Sequence, residues 1–354
     1  MGRAARNPNH ELLRLLAMYM IVFIHANMFL FHFVEGWLGF ALNGMVNGIC
    51  NTGVSCFILI SGYYGVKFSI RKFMKMEYMM ITYSLLETAF LCLVAPEQMQ
   101  GAALLEQLIK SFLPFITRKY WFYSAYVCLL FLSGYIQKFI DCLSREEFKR
   151  LLLLLLILFS VFPTLFYFEQ IPDNGKGLVQ MIMVYMMGRY IRMYRDVRLP
   201  GKAGIVFVLL WILNGISHEI PIQIGGIYHH LCKDNSITNL IMAVILFYAF
   251  KELKLFRAWN EGKNGKVCKA VNKAAEYVFA VFALNNTLVT VGMERLLQSG
   301  LQSAGGILGF LELAGIVAAV LLGCLLIGAL RELLFSRLDQ KLGILAENKL
   351  TFLH

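Results

Sequence analysis

"LLRLLAMYMIVFIH", residues 12–25, is apolar enough to begin a membrane span, yet it carries Arg14 and His25. Both residue types are expensive in hydrocarbon and normally face a bundle interior or an aqueous cavity. Eleven steps separate them, and at about 100° per residue that is three turns plus roughly 20°. A helix therefore presents both side chains on one face, about 16 Å apart along its axis. A span over 12–31 places Arg14 near the membrane surface and His25 near mid-depth. Taken alone, each residue also fits a structural role. His25 can be a neutral ring bonded to a neighbouring helix, and Arg14 an interfacial anchor with its stem in lipid.

The rest of the chain follows the same pattern. Its 354 residues are 58% hydrophobic and 16% charged, and the mean hydropathy is +0.64. These values exclude a soluble globular domain and indicate an integral membrane protein. A span needs roughly 20 apolar residues. Ten such stretches occur, at about 12–31, 45–65, 76–95, 121–139, 151–168, 178–194, 203–217, 237–253, 277–296 and 307–330. The fold class expected is an all-α polytopic membrane protein, residues 1–354 forming a single transmembrane domain. With both termini on one side, all but six of the 33 basic residues fall on that side. The exceptions are Lys110, Arg118, Lys119, Lys176, Lys233 and Arg295. The positive-inside rule then puts both termini in the cytoplasm. The formal charge of +11 is accounted for by this sorting, so nucleic acid is not an expected partner. Membrane lipid is, above all at the basic inner loop 251–276. The outer segment 96–120 reads as amphipathic and surface-bound.

Several polar residues are candidates for chemistry or packing. Ser61 and Tyr63 lie in "NTGVSCFILISGYYGVKFSIRKFMK" (51–75), followed by the basic cluster Lys67, Arg71, Lys72 and Lys75. Glu87, near the middle of the third stretch, requires a proton or a partner. Asn285 and Asn286 in "FALNNTLV" can hydrogen-bond across helices, while Glu312 is expected to be hydrated. His229, His230 and Cys232 share an outer loop but lack a further ligand at a metal-site interval, so no metal is expected. The eight cysteines contain no CxxC pair and imply no disulfide framework. GxSxG, P-loop, HExxH and GxGxxG signatures are absent, so any catalysis belongs to a site within the bundle.

Taken in order, these segments resemble the acyltransferase-3 family of integral membrane proteins. "NHELLRLLAMYMIVFIH" is similar to that family's first span, where a basic residue, ten residues and a histidine recur, here Arg14 and His25. "GVSCFILISGYYGVK" resembles its second-span segment containing SGY. "KYWFYSAYVCLLFLSGYIQKFIDCLSREEFK" is similar to its W-[FY]-x-x-x-Y stretch, with Trp121, Phe122 and Tyr126 on the matching positions. The resemblance runs over about residues 9–295. It departs at Asn285, where many relatives carry a late histidine. An amide cannot carry a proton at neutral pH, although it can hold a hydroxyl or carbonyl.

The resemblance implies an acyl-CoA donor on the cytoplasmic side, acetyl-CoA above all, used as a co-substrate with no bound cofactor. It also implies a hydroxyl acceptor, such as a glycan of the cell envelope or one destined for export. The expected enzyme is an O-acyltransferase of the bacterial cytoplasmic membrane. Arg14 with Arg71, Lys72 and Lys75 would hold the donor's phosphates. His25, with an ordinary pKa of about 6.5, would act as general base or acyl carrier. Ser61, Tyr63, Glu87, Trp121, Tyr126, Asn285 and Asn286 would bind substrate or support the site. The sequence ends soon after the last span with no SGNH-type domain, so direct transfer, or transfer to a separate extracytoplasmic acyltransferase partner, is expected. Two alternatives stand beside this reading: a transporter of an amino acid, acyl group or glycan intermediate, and a relative whose catalysis Asn285 has altered.

Overall fold

Asn7 opens the first helix by accepting a hydrogen bond from the Asn9 amide, with Pro8 at the first helical position, where its missing N–H costs nothing. This helix, α1 (Pro8–Asn27), is followed by α2 (Gly36–Cys50), α3 (Thr52–Tyr64), α4 (Ile70–Val94) and α5 (Gly101–Phe112). Then come α6 (Trp121–Asp141), α7 (Arg145–Leu156), α8 (Phe162–Leu165), α9 (Leu178–Met193), α10 (Ala203–Glu219) and α11 (Ile237–Lys251). The last are α12 (Gly265–Ala274), α13 (Val278–Gln298) and α14 (Gly306–Lys349). A short antiparallel hairpin, β1 (Ile222–Ile224) with β2 (Ile227–His229), joins α10 to α11. The computed structural model describes residues 7–194, 199–253, 265–300 and 303–349.

The protein is an all-α membrane protein. Among the described residues, five helical stretches are long and apolar enough to cross a bilayer: Gly36–Tyr64, Ile70–Val94, Arg145–Leu165, Gly265–Gln298 and Gly306–Lys349. Each of the ten stretches expected from the sequence falls on helix, with shifted ends. The second begins at Gly36, because α2 and α3 run on through Asn51. The tenth continues to Lys349. The first ends at Asn27 rather than residue 31, so His25 occupies the last turn of α1. Beyond Met28 the chain tightens into a 3₁₀ turn, Leu30–His32, and apolarity alone carries no signal for that change.

α1 is the hub of the bundle, packing against α2, α3, α11, α12, α13 and α14. Its charged residues therefore face protein rather than lipid. Around it, glycines set the close crossings. A Cβ on Gly62 of α3 would overlap the Tyr185 carbonyl of α9, and one on Gly188 would overlap the Leu59 carbonyl. Between α2 and α10, a Cβ on Gly44 would lie 2.6 Å from the Gly215 oxygen, and one on Gly48 2.8 Å from the Trp211 oxygen. Such small-residue contacts let backbones approach where hydrocarbon supplies no hydrophobic force between helices. Gly65 ends α3 with φ +73°, a conformation glycine adopts without strain. Two ends of the bundle follow. The basic end holds the start of α1 and the α3–α4 turn, tied by His10 Nδ1 to the Tyr64 hydroxyl at 2.6 Å. The far end holds the end of α1, joined to the loop before α14 by Ser303 Oγ donating to the Phe33 carbonyl at 3.2 Å.

Candidate active site

A cavity enclosing about 700 Å³, part of it open to solvent, lies against the last turns of α1. His25, Met18, Ile21 and Ile24 line it from α1, Asn51 from the α2–α3 junction, and Val54 and Phe57 from α3. Trp121 and Phe122 close it from α6, Phe282 and Asn285 from α13, and Lys176 and Asp234 from two far-end loops. The aromatic wall is continuous, since the Phe122 ring lies 5.7 Å from Phe57 and 5.5 Å from Phe282. Among the described residues, Nδ1 of His25, which lines this cavity, is buried with no geometric hydrogen-bond partner. The Asn285 side chain interacts with the His25 ring. Its amide donates to the Val281 and Phe282 carbonyls at 2.8 and 3.1 Å, and its buried Oδ1 is left without a partner. Asn285 thus bonds back to its own helix while its side chain also meets the His25 ring of α1, offering an acceptor atom beside the imidazole.

One layer toward the basic end lies a second polar group. Arg14 reaches Glu11, one turn earlier on α1, through Nη1 at 2.9 and 3.1 Å to the two carboxylate oxygens. The Glu11 side chain is 3% exposed. The same guanidinium sits 5.8 Å from the centre of the Phe57 ring, whose atoms form part of the cavity wall. The Tyr126 hydroxyl interacts with Ser61 and feels the Arg14 charge, and its ring stacks under Phe122 at 6.0 Å. Ser61 itself donates to the Phe57 carbonyl at 3.1 Å. The sequence expectation of Arg14 and His25 on one face is thereby realised, with Phe57 and Tyr126 between their two levels.

The other expected residues go elsewhere. Tyr63 belongs to the basic end, where Arg192 lies over its ring at 5.1 Å and donates to its hydroxyl at 3.3 Å. Lys72 and Lys75 line a separate cavity with Tyr83, Glu276 and Glu332, and Lys75 pairs with Glu332 at 3.2 Å. Arg71 is exposed and packs near Gly343 of α14. Glu87 has a partner, Lys119, at 2.8 Å, and also accepts from the Tyr120 hydroxyl at 2.7 Å and from Thr287. Asn286 is exposed, on the side of α13 away from Asn285. Glu312 accepts from Ser303 at 2.8 Å and from the Ala304 amide. Among the outer-loop ligand candidates, Cys232 donates to the Asn214 carbonyl at 3.2 Å and His229 packs on Tyr167 at 4.5 Å. The middle of the basic loop 251–276, residues 254–264, lies outside the described residues.

Sequence reasoning passed over Glu11, Asn51, Lys176 and Asp234. Glu11 was legible in principle, because an acid three residues before an arginine on a helix faces it. Asn51 ends an i, i+4, i+8 series with Asn43 and Asn47, in which the Asn47 side-chain amide donates to the Asn43 carbonyl at 3.0 Å and the Asn51 amide to the Asn47 carbonyl at 2.8 Å. Lys176 and Asp234 carry no local signal linking them to His25. Burial pushes the Asp234 carboxyl up to about 7, Lys176 opposing the rise and Asp173 adding to it.

The model of an acyltransferase domain, the one that defines the acyltransferase-3 family, matches residues 7–329. The chain belongs to that family. No curated protein and no solved structure matches the acyltransferase in turn. The matched range takes in α1 to α13 and most of the apolar part of α14, so the His25 cavity of this acyltransferase lies wholly within the family domain.

Proposed function

We propose that the acyltransferase moves an acyl group, acetyl in the simplest case, from cytoplasmic acyl-CoA to a hydroxyl of a cell-envelope or exported glycan. The observation that carries this reading is His25 Nδ1, buried without a hydrogen-bond partner among the described residues, in a cavity that also reaches the exposed side chain of Lys176. An unpaired imidazole nitrogen in an aromatic-walled cavity is suited to take the proton of an attacking hydroxyl. The acceptor oxygen bonds to the thioester carbonyl carbon, the carbon–sulfur bond breaks, and His25 returns the proton to the departing thiolate. Attack by the imidazole first, to give an acyl-histidine, is the other use of the same nitrogen. The ring wall of Phe57, Trp121, Phe122 and Phe282 keeps bulk water from the thioester. Arg14, braced by Glu11, supplies a positive charge on the donor's approach from the basic end. Lys72 and Lys75 line a separate cavity, Lys75 is paired with Glu332, and neither they nor Arg71 is assigned to the donor path. In this reading the basic end faces the cytoplasm of a bacterial cell, both termini lie there, and about ten helices span the membrane.

The test is acetyl-CoA hydrolysis and acetyl transfer to envelope glycan in membranes carrying wild type, His25→Ala or Arg14→Ala at equal protein levels. His25→Ala is expected to lose transfer by at least about 100-fold, the scale of general acid–base catalysis, and Arg14→Ala to lose transfer through weakened donor binding. Transfer at the wild-type rate by His25→Ala would remove His25 from the chemistry.

A further inference from the structure

The loop before α9 and the loop before α11 are locked together at the far end of the bundle. Lys233 pairs with Glu169 at 3.0 Å, with both side chains largely buried. Gly175 adopts φ +81°, and any Cβ there would overlap the Asn235 amide. Gln180 donates to the Asp234 carbonyl at 3.2 Å, and the Ile237 amide donates to Thr164 at 2.9 Å. The Asp234 backbone is therefore fixed, and the residue is only 8% exposed. Yet among the described residues its carboxylate makes no hydrogen bond and no ion pair, and it lines the His25 cavity.

A carboxylate on so buried a residue, with no donor among the described residues, is costly unless solvent in the cavity or a ligand satisfies it. We infer that Asp234 is the acceptor-binding group of the His25 cavity, accepting hydrogen bonds from a neutral, hydroxyl-rich molecule that enters beside Lys176, and turning one hydroxyl toward His25. This rests on the acyl-transfer reading above and names a residue and a ligand class for its second substrate. Charge selects the class. Lys176, exposed at the cavity's edge, disfavours an ammonium acceptor, while Asp234 and the neighbouring Asp173 disfavour an anionic one. The faces of Trp121 and Phe122 in the same cavity suit the C–H face of a sugar ring, and Asn51 offers an amide besides.

The protonation state supplies a second handle. The carboxyl raised to about 7 is the stronger hydrogen-bond acceptor when ionised, so acceptor binding is gained as pH rises through about 7 and lost below it. The charged and titratable groups facing it are Lys176 and Asp173 from the loop before α9 and His25 from α1.

The experiment compares wild type, Asp234→Asn and His25→Ala in membranes that contain their own envelope glycan, with acetyl-CoA as donor. It reads transfer, hydrolysis and the melting temperature of the extracted protein. Asp234→Asn is expected to lower the ratio of transfer to hydrolysis at least tenfold, to flatten the dependence of that ratio on pH near 7, and to melt no lower than wild type. A ratio within twofold of wild type overturns the assignment, as does a lowered melting temperature, which would mark a structural carboxylate. If wild type neither transfers nor hydrolyses, or if His25→Ala does both normally, the acyl-transfer reading itself falls, and the role of Asp234 with it.

Discussion

Lys119 shows how a single side chain changes the meaning of another. Lys119 is one of six basic residues outside the positive-inside pattern, and Glu87, near the middle of its stretch, requires a proton or a partner. The two form an ion pair with side chains 9% and 10% exposed, and Lys119 also donates to Ser84 at 2.6 Å and Ser111 at 3.2 Å. Breaking a buried pair strands a charge, at a cost of about 3 kcal/mol or more, whereas removing both partners can be nearly neutral. Lys119→Met is therefore expected to lower the melting temperature of the detergent-extracted protein clearly, and the double variant Glu87→Leu/Lys119→Met to recover most of the loss. A double variant no better than the single would mean the pair contributes little. The contrast with Asp234 is instructive. Glu87 has three donors and serves the fold, while the Asp234 carboxylate has none among the described residues, which is the basis for proposing that it meets a ligand.

Among the elements, the α3–α9 crossing holds α3, with Phe57 and Ser61, in place against the cavity. Its backbones meet through Gly62 and Gly188, so Gly62→Ala must push the Tyr185 carbonyl, and α9 with it, away from α3. Overpacking of this kind costs about 1–3 kcal/mol. The comparison is Gly134→Ala in α6, where nothing lies within 4 Å of the added carbon. There the substitution is expected to stabilise by up to about 1 kcal/mol through helix propensity. Thermal unfolding of both variants checks the pair, and equal melting temperatures would contradict the close crossing. Within the "SGY" stretch, Gly62 serves the packing of α3 on α9. Tyr63, two residues after Ser61, turns instead to Arg192 and His10 at the basic end.

For the whole molecule, the sorting of Lys and Arg to one end makes a topological prediction. A fluorescent protein fused to the C-terminus is expected to fluoresce, as it does only when it folds in the cytoplasm. A periplasm-dependent reporter inserted between Gly225 and Gly226, at the tip of the β1–β2 hairpin, is expected to be active. The reverse result would invert the donor and acceptor faces of the proposed reaction. The same view of the molecule separates two basic features that the sequence had grouped together. Arg14 lies one layer below the His25 cavity, whereas Lys72 and Lys75 line another cavity against α14.

By itself, the sequence determined the membrane class, the helical character of all ten apolar stretches, the shared face of Arg14 and His25, and the family. These properties follow from hydropathy and from the 3.6-residue period, which are local and accumulate along the chain. Only the tertiary structure decided which polar groups meet. Residues 25, 121, 176, 234 and 285 come from five separate segments, and their convergence depends on how glycine-lined helices cross and where clamped loops lie. Such contacts between distant positions leave no periodic trace, and so the Asp234 carboxylate, without a donor among the described residues, is seen only where the folded chain brings it into the cavity with His25.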